Sequence, residues 1–305
     1  MVMATGDSQR LLADALESVY RRYNHRRLVP PDPLQFVHRY RRAADREIVG
    51  FLAAMLAYGR VRQIEAACER LLAMMGERPA EFVRDIGPAE RRMLAEFRHR
   101  FTAGQDVTDL MILLGRAIRE AGSLEALFKA GCRDDDATIF PALERFCETL
   151  LEWHVAAAKG PMSRGFKHLL SSPRRGGTCK RLHLFLRWMV RSDAVDPGVW
   201  AGVAPAKLIV PVDVHMARLC RLLGLHDDRT VCGRTAMTIT RCFAEIEPTD
   251  PVKYDFALSR IGIMEQCDGT VRPACKACEL SGLCRRRPAA RTIEKVGMLW
   301  IHGHP

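Results

Sequence analysis

The stretch KRLHLFLRWMVR, residues 180–191, has the apolar periodicity of an amphipathic α-helix. At ~100° per residue, the apolar side chains fall on one face and the basic and histidine side chains on the other. The apolar face comprises Leu182, Phe185, Leu186 and Met189, and the opposite face comprises Lys180, His183, Arg187 and Arg191. Residues 174–191 contain six basic residues and no acidic one, which predicts a helix whose basic face meets a polyanion. A surface helix with a merely solvated charged face is the alternative.

The residues before this helix form a turn with two consecutive glycines, RRGGT at 174–178. Glycines ahead of a helix let backbone N–H groups approach a phosphate closely, and the helix dipole adds attraction for the anion. The turn and the helix therefore supply candidate contacts to a nucleic-acid backbone. These are Arg174, Arg175, Gly176, Gly177, Arg181 and Arg187.

An acidic residue follows an apolar run further along the chain. The apolar residues 208–212, LIVPV, are followed by Asp213. Residues 214–223 then have the pattern of a helix that Gly224 would terminate. Asp213 is well placed as the N-cap of that helix, which is a structural role. In the functional alternative, one carboxylate oxygen caps the helix and the other faces a pocket.

Four of the eleven cysteines lie close together near the end of the chain. They are Cys267, Cys275, Cys278 and Cys284, with the spacing C-x7-C-x2-C-x5-C. Four thiolates from one loop can hold an iron–sulfur cluster or a zinc ion. Zinc sites usually contain two close pairs and only Cys275 and Cys278 form one here, so the spacing favours a [4Fe–4S] cluster over zinc.

The remaining sequence predicts an all-α protein. Aromatic residues make up only 7% of the chain, strand patterns are few, and residues 9–23, 45–57 and 61–75 have helical apolar patterns. A proline-rich stretch at 29–33 must interrupt any helix. We expect an N-terminal helical segment (1–44), a helical lobe (45–175), a second lobe with the glycine turn (176–266), a cysteine loop (267–284) and a tail (285–305).

Charge and hydropathy restrict the partners and the location. The formal net charge is +11, which suits a polyanionic partner. No apolar run approaches the ~18 residues of a membrane span, and the first ten residues lack the apolar core of a signal peptide. We therefore expect a cytoplasmic protein with no membrane association.

Two motifs resemble those of the helix-hairpin-helix, endonuclease-III-type DNA glycosylases. Residues 210–218, VPVDVHMAR, are similar to the aspartate motif of that superfamily, and residues 176–180, GGTCK, to the hairpin that precedes its nucleophilic lysine. The resemblance is closest to a bacterial branch with a cysteine loop. It implies a two-lobed helical fold, Lys180 as nucleophile, Asp213 as catalytic acid, a [4Fe–4S] cluster and a monomer acting on double-stranded DNA.

The sequence departs from the superfamily pattern at three places. The Gly-hydrophobic-Gly hairpin is replaced by PRRGG at 173–177, and the first gap of the cysteine loop is one residue longer. The 33 residues from Lys180 to Asp213 exceed the spacing of the endonuclease III branch and approach that of archaeal 8-oxoguanine glycosylases. This spacing favours an oxidised purine such as 8-oxoguanine as the substrate base.

The resemblance implies excision of a damaged base with AP lyase activity through a Schiff base on Lys180. It also directs attention to Tyr58, Arg60 and Asp255 as residues of the base pocket. Two alternatives stay open at this point. One is a DNA-binding iron–sulfur protein of the same fold without catalysis, and the other is an RNA-binding or scaffold protein that uses only the basic face.

Overall fold

The fold was analysed in a computed structural model, which describes residues 6–157 and 160–285. These residues form fourteen α-helices and one two-stranded antiparallel hairpin, so the all-α prediction is confirmed. The first helices are α1 (Gly6–Tyr23), α2 (Leu34–Val37), α3 (Ala43–Leu56), α4 (Val61–Met75), α5 (Pro79–Arg84) and α6 (Pro88–Leu94). Strands β1 (Arg98–His99) and β2 (Thr102–Ala103) follow. The later helices are α7 (Gly104–Ala121), α8 (Leu124–Ala130), α9 (Phe140–Ala157), α10 (Arg164–Leu169), α11 (Lys180–Val190), α12 (Val214–Leu222), α13 (Gly233–Ala244) and α14 (Asp255–Met264).

Helix α3 lies at the centre of the core. Ile48, Val49 and Phe51 are fully buried, as expected for a helix that is apolar on all sides. α3 packs against α2, α5 and α11, and the rings of Phe51 and Phe185 meet edge to face with centroids 5.0 Å apart. This contact fixes the helix that begins at Lys180 against a helix whose residues are mostly buried.

A buried carboxylate on α3 holds a neighbouring helix in place. Glu47 accepts hydrogen bonds from the backbone N–H groups of Leu124 and Glu125 at 2.9 and 2.8 Å, which caps the start of α8. It also accepts one from the indole N–H of Trp200 at 2.7 Å. Because burial outweighs these donors, the pKa of Glu47 is raised. The sequence analysis did not find this role, since nothing in the pattern around Glu47 indicates a distant partner.

Both faces of α11 are buried, which corrects the prediction of an exposed basic face. The side chains of Arg187 and Arg191 are only 2% and 4% exposed. Arg187 pairs with Asp196 at 3.1 Å and with Asp255, and Arg191 pairs with Asp193, Asp196 and Asp250. The acidic partners come from the segment after α11 and from the region of α14, which helical periodicity within 180–191 cannot reveal. Arg187 therefore stabilises the interior and does not face DNA.

The described residues leave the predicted division of the chain untested. The division into two lobes stays a prediction, and residues 1–5 and 286–305, with nearly all of the proposed tail, lie outside the described residues. Within 6–157 and 160–285, none of the helices combines the length and apolar character that a membrane span requires.

Candidate active site

Lys180 and Asp213 are brought together by the fold. The Nζ atom of Lys180 lies 3.3 Å from Oδ2 of Asp213, and the two side chains are 31% and 36% exposed. Lys180 is the first residue of α11, and Asp213 is the N-cap of α12. An amine and a carboxylate that are distant in the sequence therefore meet at the starts of two helices, within reach of solvent.

The two oxygens of Asp213 have different partners. Oδ1 accepts hydrogen bonds from the backbone N–H groups of His215 and Met216, both at 2.9 Å, and so caps α12. Oδ2 faces the ammonium of Lys180. Burial raises the pKa of this carboxyl, but the charge of Lys180 and the capping N–H of Met216 more than offset burial, so the pKa is lowered. Asp213 is consequently anionic at neutral pH.

A groove of about 340 Å³ opens beside Lys180. Its walls include Met55, Ser171, Arg175, Thr178, Lys180 and Leu182. Cys179, which precedes the lysine, adopts a left-handed backbone conformation with φ of 46°, and this turns the chain into α11. Burial raises the pKa of the Cys179 thiol to about 11, so this cysteine is a poor nucleophile beside the amine.

The glycine turn next to this groove is open. Gly176 has a φ of +73°, a conformation that favours glycine, and its carbonyl accepts a hydrogen bond of 2.9 Å from the N–H of Gly233. A Cβ added at Gly176 or Gly177 would meet no atom within 4 Å. Arg175 is exposed on the same turn, while Arg174 pairs with Glu148. The N–H of Gly176 also donates to the carbonyl of Pro173 at 2.9 Å, so this residue is engaged within the protein. The turn thus presents the exposed Gly177 and Arg175 beside Lys180.

Arg181 is engaged inside the protein, which corrects its assignment to phosphate binding. Its guanidinium donates to the backbone carbonyls of Met55 and His168 and lies 5.2 Å from the ring centroid of Tyr58. Burial lowers its pKa to about 10. Arg181 therefore connects the start of α11 to the ends of α3 and α10.

The three residues expected in a base pocket lie in different environments. The hydroxyl of Tyr58 donates to the carbonyl of His99 at 3.0 Å, and Arg60 is exposed just before α4. Asp255 is buried and accepts from Arg187, so it does not line an accessible pocket. The prediction that Asp255 lines a base pocket is wrong, because its carboxylate is buried in an ion pair with Arg187.

Comparison with known proteins adds one finding. Residues 32–264 match the family model described as "Protein of unknown function (DUF2400)". The chain belongs to the DUF2400 family. Neither the search of curated proteins nor the search of solved structures found a match. The DUF2400 region includes both Lys180 and Asp213 and ends before the first of the four clustered cysteines.

Three of the four clustered cysteines beyond the DUF2400 region lie around the same cavity. Cys267, Cys275 and Cys278 line one small cavity of about 80 Å³ together with Arg22 and Arg272. Among the described residues there is no group of three or more ligating side chains close enough to hold a metal ion. Four cysteines in one loop have the donor chemistry that a cluster needs, and the assignment of a metal to Cys267, Cys275, Cys278 and Cys284 stays a prediction.

Proposed function

We propose that this DUF2400 protein is a DNA glycosylase with AP lyase activity, of the helix-hairpin-helix type. The observation that carries the proposal is the 3.3 Å contact between the Lys180 amine and the Asp213 carboxylate beside an open groove. A nucleophile and an anion at this separation suit a reaction that builds positive charge on a sugar and then forms a bond to it.

The chemistry assigns one step to each side chain. The target nucleotide leaves the duplex, and its sugar enters the groove with C1′ near the amine. As the glycosidic bond breaks, its electron pair leaves with the base, and anionic Asp213 stabilises the positive charge that develops on the sugar. Lys180 attacks C1′ after it loses its ammonium proton, which the departing base can accept. This attack gives an aminal at C1′, and a proton then passes from its nitrogen, by way of Asp213, to O4′ as the C1′–O4′ bond breaks, which opens the sugar ring to a protonated Schiff base. Loss of a C2′ proton from the Schiff base then expels the 3′ phosphate by β-elimination and nicks the strand.

The DNA contacts of this proposal come from the open turn. Arg175 and the backbone N–H of Gly177 would bind phosphates, whereas the N–H of Gly176, predicted to do so, already donates to the carbonyl of Pro173. Arg174 would add a contact if it exchanged Glu148 for a phosphate. The net charge of +11 supports a double-stranded DNA partner. The lesion we favour is an oxidised purine such as 8-oxoguanine, which rests on the sequence resemblance. We also propose a cytoplasmic monomer.

The four clustered cysteines are proposed to hold a [4Fe–4S] cluster, with zinc as the alternative. The cluster would have a structural role, because its bonds to the cysteines would hold the loop that contains Arg272 and Lys276 in one conformation. None of the catalytic steps depends on it. An absorption spectrum of anaerobically purified protein distinguishes the cluster, which absorbs visible light, from zinc, which does not.

The function is tested with duplexes that carry single lesions. Wild-type protein should release a base and nick the strand on at least one oxidised-purine duplex. Lys180→Ala should abolish the nick, whereas Lys167→Ala, which removes an exposed lysine of α10, should retain it. Binding of these duplexes without base release from any of them would instead support a non-catalytic DNA-binding protein.

A further inference from the structure

The tip of the β1–β2 hairpin exposes an aromatic side chain. Phe101 is 46% exposed although it is a large apolar residue. It lies in the turn between the two short strands and follows Arg100, which has a left-handed φ of 56°. The described fold therefore holds a ring at the surface on a tight turn.

The ring of Phe101 packs against two other rings, those of Tyr58 and His168. It stacks on Tyr58 with centroids 5.3 Å apart and an interplanar angle of 26°, and it meets the ring of His168 edge to face at 4.5 Å. Tyr58 and His168 also contact each other at 4.6 Å. A ring held in this way loses little conformational freedom when a second aromatic group stacks on its exposed surface.

These rings adjoin the candidate active site through direct contacts. The backbone carbonyl of His168 accepts a hydrogen bond from Arg181, the residue after Lys180, and the guanidinium of Arg181 lies 5.2 Å from the Tyr58 centroid. Arg181 also donates to Met55, which lines the groove at Lys180. Phe101 is therefore connected to the groove by an unbroken series of contacting residues.

The surroundings of the ring favour a nucleic acid as its partner. Arg100 lies against Gly59, where an added Cβ would be 2.8 Å from its side chain. Arg60, which follows Gly59, and Arg98, in β1, are both exposed. On its other side Phe101 borders a cavity that includes Asp106 and Asp109. The buried Asp106 accepts a hydrogen bond from the N–H of Ala103, so its charge serves the fold. An aromatic ring among arginines combines the two groups that bind bases and phosphates.

We propose that Phe101 stacks on a base of duplex DNA beside the nucleotide held at Lys180. This inference rests on the proposed function, since the site at Lys180 defines which nucleotide is extracted. The ring would occupy space that the extracted nucleotide leaves and would support the neighbouring base pair. Phe101 is thus a positioning residue that binds DNA and takes no part in bond breaking.

The test measures stacking and affinity separately from catalysis. Fluorescence anisotropy gives the affinity for a duplex with a tetrahydrofuran abasic analogue, which cannot form a Schiff base. Phe101→Ala should weaken binding about tenfold, because one base–aromatic stack is lost. Phe101→Trp should bind like wild type, and its added indole emission should be quenched by the duplex. Leu11→Ala, which removes another exposed apolar side chain, should bind the duplex with the same affinity as wild type.

Each outcome has a distinct meaning. Wild-type affinity of Phe101→Ala, or an unquenched indole in Phe101→Trp, would overturn the inference even if base release at Lys180 is intact. Weakened binding by Phe101→Ala in a protein that releases no base would support the inference and contradict the proposed function. A Phe101 effect confined to single-stranded RNA, or to association between copies of the chain, would also overturn the inference.

Discussion

Asp213 serves two partners with its two carboxylate oxygens. Oδ1 caps α12 through two backbone N–H groups, and Oδ2 contacts the ammonium of Lys180. The structural role and the chemical role of one residue are therefore assigned to different atoms. A substitution that keeps an oxygen at one position and removes the negative charge separates them.

Asp213→Asn should leave the fold nearly intact and remove most of the activity. Asparagine is as good an N-cap as aspartate, so the free energy of unfolding should change by less than about 1 kcal/mol. The loss of anionic stabilisation should lower the rate of base release by a factor on the order of 100 or more. Urea denaturation and single-turnover kinetics measure the two effects. An asparagine variant as fast as wild type would remove Asp213 from the proposed chemistry.

The sequence predicted this pair better than it predicted the residues around it. Patterning predicted that Lys180 and Asp213 each stand at the start of a helix, and the resemblance to the glycosylase motifs implied that they act together. Arg187 was misassigned because helical periodicity shows which residues share a face but not what covers that face. Phe101 was missed, since a single aromatic residue between short strands has no pattern of its own.

At the scale of elements, α11 is held by buried ion pairs as well as by apolar packing. Arg187 is enclosed between Asp196, from the segment that follows α11, and Asp255 at the start of α14. The charges of these two carboxylates outweigh burial and raise the pKa of Arg187, which therefore remains a cation. The segment after α11 thus fixes the helix that presents Lys180.

Arg187→Met should destabilise the protein strongly, because it leaves the buried carboxylate of Asp255 without its cation and removes one of the two cations paired with buried Asp196. We expect a loss of about 3–5 kcal/mol in the free energy of unfolding. Arg175→Ala, at an exposed arginine, should change it by no more than about 0.5 kcal/mol. Chemical denaturation of the two variants provides the comparison. Equal stabilities would mean that the buried network does not support α11.

Long helices were predictable and short elements were not. The predicted helix at 61–75 coincides with α4, and the buried helix at 45–57 differs from α3 by two residues or fewer at each end. By contrast, α10 lies within the stretch 160–177, which is rich in glycine, serine and proline and for which the sequence predicted no helix. Elements of two to six residues carry too few periods for a pattern, and tertiary contacts decide them.

At the scale of the whole molecule, buried histidines couple stability to pH. Burial lowers the pKa values of His38, His168 and His183 to about 4. In the unfolded chain these groups titrate near a pKa of about 6.5. Between these values each of the three histidines binds more protons in the unfolded chain than in the folded one, so its contribution to stability rises with pH across this window.

The free energy of unfolding should therefore fall as the pH is lowered from 7 towards 5. Each of these histidines contributes up to about 1.4 kcal/mol per pH unit inside the window. His183→Leu removes one such group, so the variant should show a shallower dependence than wild type. Denaturant titrations at pH 5, 6 and 7 measure both slopes. A variant with the wild-type slope would show that His183 does not titrate as its burial requires.

The proposed function depends most on the bond between the amine of Lys180 and C1′ of the sugar. Borohydride reduction during turnover on a lesion-bearing duplex, followed by peptide mapping of the product by mass spectrometry, locates any covalent bond to DNA. The account predicts a reduced sugar adduct on Lys180 and its absence in Lys180→Ala. An adduct on another lysine, or no adduct while the base is released, would contradict the assignment of Lys180 as the nucleophile.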